Sequence, residues 1–196
     1  MEKWIIDNQY NKIIGCFLDS NNIKRGSPQM NALKEKLIQL TLENNEIKIE
    51  NELNGKPILK GTNWHVSVSH SNNWLFVQTT PLFQPGIDIE PLREKIVRIA
   101  PRFLNDTDSR NLQDWPQLLG LHLIWGAKEA IYKSYSQKGL DFRKEIFINL
   151  PPYSLISKEL KGSILKNGKK QNFELIFEQL PNNELLVYIT STSNPI

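Results

Sequence analysis

The sequence contains very little cysteine. Cys16 is the single cysteine among 196 residues, so the chain can form neither an internal disulfide nor a cluster of thiolate ligands around a metal ion. We expect Cys16 to fill space in a hydrophobic core.

Long hydrophobic runs are also missing. No stretch approaches the roughly 20 apolar residues that a membrane-spanning helix needs. The first residues carry charges around the short run Trp4-Ile5-Ile6 and do not have the pattern of a signal peptide. These absences predict a cytoplasmic protein without membrane contact.

A strong charge of either sign is absent as well. The formal net charge is +3, with 23% charged and 39% hydrophobic residues. This balance is ordinary for a folded protein with one sizeable core or two small ones. It does not favour a nucleic-acid-binding surface, whereas it suits an acidic protein partner through complementary fields.

Two segments have the pattern of long helices. Ser27 and Pro28 fit the N-cap and first helical position of one helix, and apolar residues follow at helical spacing. Asp114 and Pro116 fit the start of the other helix, which we predict to run to about Gln137.

Short strands with alternating polar and apolar residues surround these helices. In the first half they are predicted at Ile13–Leu18, Ile47–Glu50, Trp64–Ser69 and Trp74–Thr79, with a hairpin turn at Asn54-Gly55. In the second half they are predicted near Phe147 and at Ser154–Leu165, Phe173–Phe177 and Glu184–Thr190, as an antiparallel meander. Segregated helices and strands predict an α+β fold. We place the division at residues 1–85 and 86–196 and expect the two halves to pack as one compact unit.

The segment Gly86-Ile87-Asp88-Ile89-Glu90 alternates apolar and acidic residues. Asp88 and Glu90 therefore share one face of a strand, roughly 7 Å apart. At that distance two anions repel by about 2 kcal/mol in a dielectric near 20, and a cation between them would reverse the sign. The alternative is a solvated face of an edge strand.

The helical segment Trp125–Lys133 supplies a third carboxylate. Glu129 lies four residues after Trp125 and seven after His122, which places the three side chains on one stripe. Lys128, Glu129 and Lys133 would form a solvated face on an ordinary helix. Beside large aromatic side chains, however, an unpaired carboxylate is costly, and a cation would satisfy it.

A polar segment, Ser67–Asn73, lies between two predicted strands. Its Ser69-His70-Ser71 core does not indicate a serine hydrolase, because no Gly-x-Ser-x-Gly turn is present. Hydroxyls, an imidazole and the amides of a tight turn do suit a phosphate. A hairpin turn that satisfies its own backbone is the alternative.

In combination these motifs resemble those of the 4'-phosphopantetheinyl transferases. The resemblance rests on three motifs in this order and separation along the chain: Val66–Ser71, Gly86–Glu90 and Trp125–Lys133. Further elements are Gly55-Lys56-Pro57, Ala100–Leu104 and Lys138–Leu140. The chain is closer to the surfactin-type enzymes than to the short trimeric holo-acyl-carrier-protein synthases. The resemblance to the surfactin-type enzymes therefore implies a monomer with two similar halves. Each half would be a helix on a small antiparallel sheet, and a pseudo-twofold axis would relate the halves, with the active site between them.

The resemblance implies a Mg2+-dependent enzyme. Such enzymes move the phosphopantetheine arm of coenzyme A to a serine of an apo acyl or peptidyl carrier protein and release adenosine 3',5'-bisphosphate. By the resemblance Asp88, Glu90 and Glu129 would hold Mg2+, which agrees with the preference of magnesium for hard oxygen ligands. The base for the serine would be Glu129 or a metal-bound water that it orients.

The resemblance also implies which residues bind coenzyme A and act in catalysis. The catalytic residues would be Glu129, Lys133 and His70, and the coenzyme-binding residues would be Lys56, Pro57, Ser69, His70, Ser71, Lys128 and Lys133. The preference for Mg2+ or Mn2+ and the identity of the carrier are not encoded in these motifs.

The first helix departs from the pattern of the family, whose members usually have arginines or lysines there for the 3'-phosphate. Here Lys24 and Arg25 precede the helix, which offers only Lys34 and Lys36 later. We therefore predict weaker or differently anchored coenzyme binding. A catalytically weak or silent relative that binds carrier proteins is the alternative. A metal-dependent nuclease is disfavoured, because Glu129 and Lys133 have helical spacing and the chain is only mildly basic.

Overall fold

The computed structural model describes residues 3–8, 10–18, 23, 26–52, 55–137, 139–153 and 157–193. Within it the chain divides into two units, Met1–Ile87 and Asp88–Ile196. Each unit combines a long helix with an antiparallel sheet, and the predicted α+β class is therefore confirmed. The pseudo-twofold relation between the halves stays a prediction.

The first unit consists of strands around one long helix. Its elements are β1 (Lys3–Asn8), β2 (Asn11–Phe17), α1 (Pro28–Leu42), β3 (Ile49–Asn51), β4 (Pro57–Leu59), β5 (His65–His70) and β6 (Trp74–Thr80). Four strands form an antiparallel sheet in the order β1-β2-β6-β5, and β3 pairs with β4.

Helix α1 begins where the sequence predicts. The Met30 N–H donates to Ser27 Oγ at 3.2 Å, and Pro28 follows the cap. The helix packs on β2 and β6 and buries Leu37 in their apolar layer. Cys16 is fully buried in the same layer, as expected.

The second unit begins with the acidic strand. Its elements are β7 (Ile87–Pro91), α2 (Lys95–Ile99), a 3-10 helix (Ala100–Arg102), α3 (Asp106–Asn111), α4 (Gln117–Tyr135), β8 (Ile146–Asn149), β9 (Glu159–Lys166), β10 (Lys169–Leu180) and β11 (Glu184–Thr192). The sheet order is β7-β11-β10-β9-β8, so the meander is confirmed and β7 lies at an edge. Helix α4 packs on this sheet.

Two of the turns in the meander have the conformation that their residues favour. Asn167 and Gly168 both have positive φ, 51° and 75°, as a two-residue hairpin turn of this kind requires. Asn182 and Asn183 also have positive φ, 65° and 57°. Asparagine tolerates this region better than most residues, which explains its use at the second turn.

The ends of α4 and the first strand differ from the predictions. Pro116, and not Asp114, occupies the N-cap, without a side-chain hydrogen bond. The helix ends at Tyr135, because Ser136 adopts a left-handed φ of 63°. Strand β1 was not predicted, since its apolar run is only three residues long and polar residues flank it.

Some predictions lie outside the described residues. These concern Asn54 in the hairpin turn, the basic pair Lys24 and Arg25, and Lys138 after α4. Among the helices that the structure describes, none has the length and apolar content needed to cross a bilayer.

Candidate active site

Strand β7 presents two carboxylates on one side. Ile87 and Ile89 are buried on its apolar side, at 0% and 1% exposure. Asp88 is 5% exposed and Glu90 is half-buried. Because Asp88 is buried, a solvated strand face does not describe this residue.

Helix α4 brings a third carboxylate and an ammonium to the strand. Lys133 Nζ donates to Asp88 Oδ1 at 2.8 Å, and Glu129 lies one turn earlier on the helix, half-buried. Gly126 permits close packing of α4 on β11, since an added Cβ would lie 3.0 Å from Val187 Cγ2. The side chains predicted from separate motifs therefore meet in the second unit.

Burial and mutual repulsion raise the affinity of two carboxylates for protons. The pKa of Glu129 rises to about 7, mainly through burial and then through the charge of Asp88. Burial and Asp88 likewise raise the pKa of Glu90 to about 7. Lys133 opposes both shifts, and the Trp125 indole N–H, bonded to Glu90, opposes the second.

This donor set suits a hard divalent cation. The three carboxylates supply oxygen ligands of the kind that Mg2+ takes in proteins, and burial and the charge of Asp88 raise the pKa values of Glu90 and Glu129. Among the described residues, no three carboxylate, imidazole or thiol side chains are already arranged as a metal-binding cluster. The residues therefore fit such a cation by the chemistry of their side chains.

Lys128 does not belong to this site, and its predicted role in binding phosphate is wrong. Its side chain is 0% exposed, and Nζ lies 2.6 Å from Asp108 Oδ2. The same ammonium donates to the carbonyl oxygens of Phe103, Phe142 and Ile146, at 2.7, 2.7 and 2.8 Å. Because buried acceptors already surround Nζ, it cannot reach a phosphate without unfolding this part of the core.

His122 holds the segment that follows β7. His122 Nε2 lies 3.0 Å from the backbone nitrogen of Arg93 and 3.2 Å from its carbonyl oxygen. The tautomer of the ring decides which of these two groups it bonds, and burial lowers the pKa of His122. The stripe of His122, Trp125 and Glu129 predicted on α4 thus includes contacts to the segment after β7 and to Glu90.

The remaining predicted residues lie in the first unit. Lys56 precedes β4, Pro57 begins it, and Ser69 and His70 end β5. Ser71 accepts hydrogen bonds from the backbone N–H groups of Asn73 and Trp74 at 3.1 and 3.0 Å. Ser71 therefore stabilises the turn between β5 and β6, as the alternative for this segment expected, and its role in binding coenzyme A stays a prediction.

Lys56 has polar neighbours that sequence reasoning did not find. Its Nζ donates to Gln84 Oε1 at 2.5 Å, and Gln84 Nε2 lies 3.0 Å from His65 Nδ1. Burial lowers the pKa of Lys56, and the charge of Glu52 opposes the shift. No motif marks Gln84, because its partners are 28 and 19 residues away in the chain.

The carboxylates of the second unit fall within a match to a known family. The sequence model of the 4'-phosphopantetheinyl transferase superfamily matches residues 84–187, more than half of the chain. The chain belongs to this superfamily. The match includes Asp88, Glu90, Glu129 and Lys133, whereas Lys56 and the Ser69-His70-Ser71 segment precede it.

One curated member of the superfamily gives a pairwise comparison. The 4'-phosphopantetheinyl transferase psf-1 of Bacillus pumilus is 32% identical over 103 residues. These residues are 50% of this chain and 42% of that protein, so the chain matches less than half of this relative's length. Family membership is thus shown, while activity and partners are matters for proposal.

Proposed function

We propose that this chain is a 4'-phosphopantetheinyl transferase of the surfactin type. Its substrates would be coenzyme A and the serine hydroxyl of an apo acyl or peptidyl carrier protein. The observation that supports the proposal is the cluster of Asp88, Glu90 and Glu129 around the ammonium of Lys133. Together with membership of the superfamily, this cluster favours transfer of a phosphate-linked group over simple binding.

Asp88, Glu90 and Glu129 would hold Mg2+, because their carboxylates are hard oxygen ligands on β7 and on the facing helix α4. The bound cation would neutralise charge on the pyrophosphate of coenzyme A. Lys133 would bind a phosphate oxygen and stabilise the charge that builds on the leaving phosphate. In the first unit, Lys56 and Pro57 would lie near the adenine and Ser69 near the 3'-phosphate. His70 would bind a phosphate oxygen, and Ser71 would belong to the same coenzyme-binding segment.

Glu129, or a metal-bound water that it orients, would accept the proton of the carrier serine. The serine Oγ would form a bond to the phosphorus that carries the pantetheine arm, while the bond from that phosphorus to the bridging oxygen breaks. Adenosine 3',5'-bisphosphate would leave with the electron pair of that bond.

A direct experiment measures the mass of the carrier. The protein is incubated with coenzyme A, Mg2+ and each of several apo carriers, and the carriers are weighed by mass spectrometry. We expect a gain equal to one phosphopantetheine group, and no gain with Glu129→Gln, whose fold is verified by circular dichroism. Absence of the gain with every carrier would remove the proposal.

A silent relative that only binds carriers is the second candidate. The described part of α1 favours it mildly, since the first turn of this helix has no basic residue. Native mass spectrometry separates the two candidates, because a silent relative would give a carrier complex of unchanged carrier mass. The monomeric state, the cytoplasmic location and the choice of Mg2+ over Mn2+ stay predictions.

A further inference from the structure

The side chains of Lys56, Gln84 and His65 form a hydrogen-bonded chain within the first unit. Lys56 has donors only, so the Gln84 oxygen must face its ammonium. The amide nitrogen of Gln84 then faces His65 Nδ1 at 3.0 Å and donates to it. His65 Nδ1 is therefore an acceptor, and the proton of the neutral ring is on Nε2.

This arrangement places a proton on His65 Nε2, and the described part of the chain offers no acceptor for it. No hydrogen bond to His65 Nε2 occurs among the residues that the structure describes. The ring is half-buried, and burial, together with the charge of Lys56, lowers its pKa and keeps it neutral. An imidazole N–H and an ammonium are thus held by one glutamine.

The segment that contains Gln84 also makes a second hydrogen bond to β5, the strand that carries His65. The backbone N–H of Ile87 donates to Ser67 Oγ at 3.2 Å. His65 and Ser67 share one face of β5 by the alternation of strand residues. Two hydrogen bonds therefore hold residues 84–87 against this face, and Gln84 has little freedom to move from Lys56.

We propose that Gln84 is a positioning residue for the nucleotide, and that His65 is a nucleotide-binding residue beside Lys56. Together they take the 3'-phosphate of coenzyme A. This inference rests on the proposed function, which assigns the pyrophosphate to Lys133 and the bound cation, and the adenine to Lys56 and Pro57. The 3'-phosphate of coenzyme A is on the ribose that carries the adenine, and two donors, one of them cationic, suit a phosphomonoester.

The tautomer of His65 gives the first test, and it does not depend on activity. Long-range proton–nitrogen NMR spectra of the full chain should show a neutral ring protonated at Nε2. In Gln84→Glu the new carboxylate still accepts from Lys56 but cannot donate to Nδ1. The pKa of His65 should then rise above its ordinary value of 6.5. A ring protonated at Nδ1, or a His65 pKa that does not change in this variant, overturns the inference.

Ligand binding gives the second test. Calorimetry compares coenzyme A with 3'-dephospho-coenzyme A for the unaltered protein, Gln84→Ala and His65→Ala. Each variant should lower the affinity for coenzyme A by about tenfold, which is the scale of one hydrogen bond to a charged group. The affinity for 3'-dephospho-coenzyme A should stay within about twofold of that of the unaltered protein. Lys60→Ala is the matched control, because it removes an exposed lysine of the first unit that pairs with Glu50.

The outcomes separate the two proposals. An equal loss of affinity for both ligands would mean a merely structural role for Gln84. Unchanged affinity for both ligands would mean no role, and either result overturns the inference. Selective loss of coenzyme A affinity supports it, even where the carrier gains no mass and the transferase proposal fails. If the carrier gains mass and both variants prefer coenzyme A over its dephospho form as strongly as the unaltered protein does, this inference fails and the transferase proposal stands.

Discussion

Glu90 and Glu129 are held in positions that oppose their ionisation. Each is partly removed from water and faces Asp88, while a single ammonium, that of Lys133, is shared among the carboxylates. Such an arrangement costs free energy in the isolated protein, and a stable fold does not require it. A bound cation would offset this cost, because it would convert mutual repulsion into attraction.

We predict that stability without divalent cations falls as the pH rises from 4.5 to above 7. Both glutamates have an ordinary pKa of 4.5 and a folded pKa of about 7. The folded state therefore keeps protons that the unfolded state has lost, and their contribution to stability is lost as the pH passes through 7. We expect a loss of about 1–2 kcal/mol for each group after solvent screening, measured by chemical denaturation with a chelator present.

Two comparisons test the origin of this pH dependence. Mg2+ should restore stability above pH 7, because it replaces the protons, and Glu129→Gln should show a smaller loss between pH 5 and 8 and a smaller gain with Mg2+. A stability profile that is the same for the variant and the unaltered protein would contradict the prediction.

For single residues, the sequence predicted which side chains share a face of a strand or helix. It did not predict which side chains distant in the chain they contact. A period of two places Asp88 and Glu90 together, and a period of 3.6 places Glu129 and Lys133 together. Lys128 shows the limit, because the helical period places it beside Glu129 but does not show that Asp108 lies at its Nζ. That contact depends on the path of the chain between residues 108 and 128.

Among the elements, α4 connects the most parts of the second unit. Lys128 binds the segments at Phe103, Phe142 and Ile146, while Asp108 accepts from the backbone N–H groups of Asn105 and Ile148. One ion pair therefore fixes α4, the start of α3 and the start of β8. Trp125, also on α4, contacts the rings of Phe103 and Phe142 at 5.1 and 5.5 Å between centroids.

We predict that Lys128→Met destabilises the protein by about 3–5 kcal/mol, because it leaves the charge of Asp108 buried without its partner. The double variant with Asp108→Leu should lose less than the sum of the two single variants, since it removes both charges. Chemical denaturation measures each. An additive loss would mean that the pair is not coupled, and Lys36→Met on α1 is the control for removal of a lysine from a helix.

Gly126 sets the distance between α4 and β11. An alanine there would gain about 1 kcal/mol of helix propensity, but its Cβ would lie 3.0 Å from Val187 Cγ2. We predict that Gly126→Ala is neutral or destabilising by up to about 2 kcal/mol and weakens Mg2+ binding. In a Val187→Ala background the same substitution should be stabilising, because the close contact is removed. Calorimetry and denaturation of the four proteins measure both effects.

Elements with strong local signals were predicted from the sequence, and elements fixed by distant contacts were not. Ser27 and Pro28 determine the start of α1 locally. By contrast, β1 depends on pairing with β2, and the start of α4 at Gln117 depends on no side-chain cap at all. The left-handed Ser136, which ends α4 before Gly139, has no local signal either.

At the scale of the whole molecule, the two units differ in how much of each the family match covers. The family match covers residues 84–187, so it includes the carboxylates of the second unit and leaves most of the first unit outside. The roles proposed for Lys56 and His70 therefore rest on the resemblance of short motifs alone. The tests on Gln84 and His65 matter for this reason, since they examine the first unit independently.

The net charge of the chain gives a prediction about the proposed carrier protein. A net charge of +3 favours an acidic partner through long-range attraction, which salt screens. We predict that raising the salt from about 50 mM to about 500 mM increases KM for an acidic apo carrier several-fold. The rate at saturating carrier should change little, because the reacting groups are in contact and largely shielded from salt. Mass spectrometry of timed samples measures both quantities.

Coenzyme A is itself an anion, so its binding must be separated from that of the carrier. Each salt concentration is therefore tested at saturating coenzyme A, and its KM is determined in parallel. A carrier variant in which exposed acidic residues are replaced by their amides is the matched control, because it keeps the shape and loses the charge. Its KM should be high at low salt and nearly independent of salt. If the acidic carrier shows the same independence, shape and apolar contact, and not charge, bring the carrier to this protein.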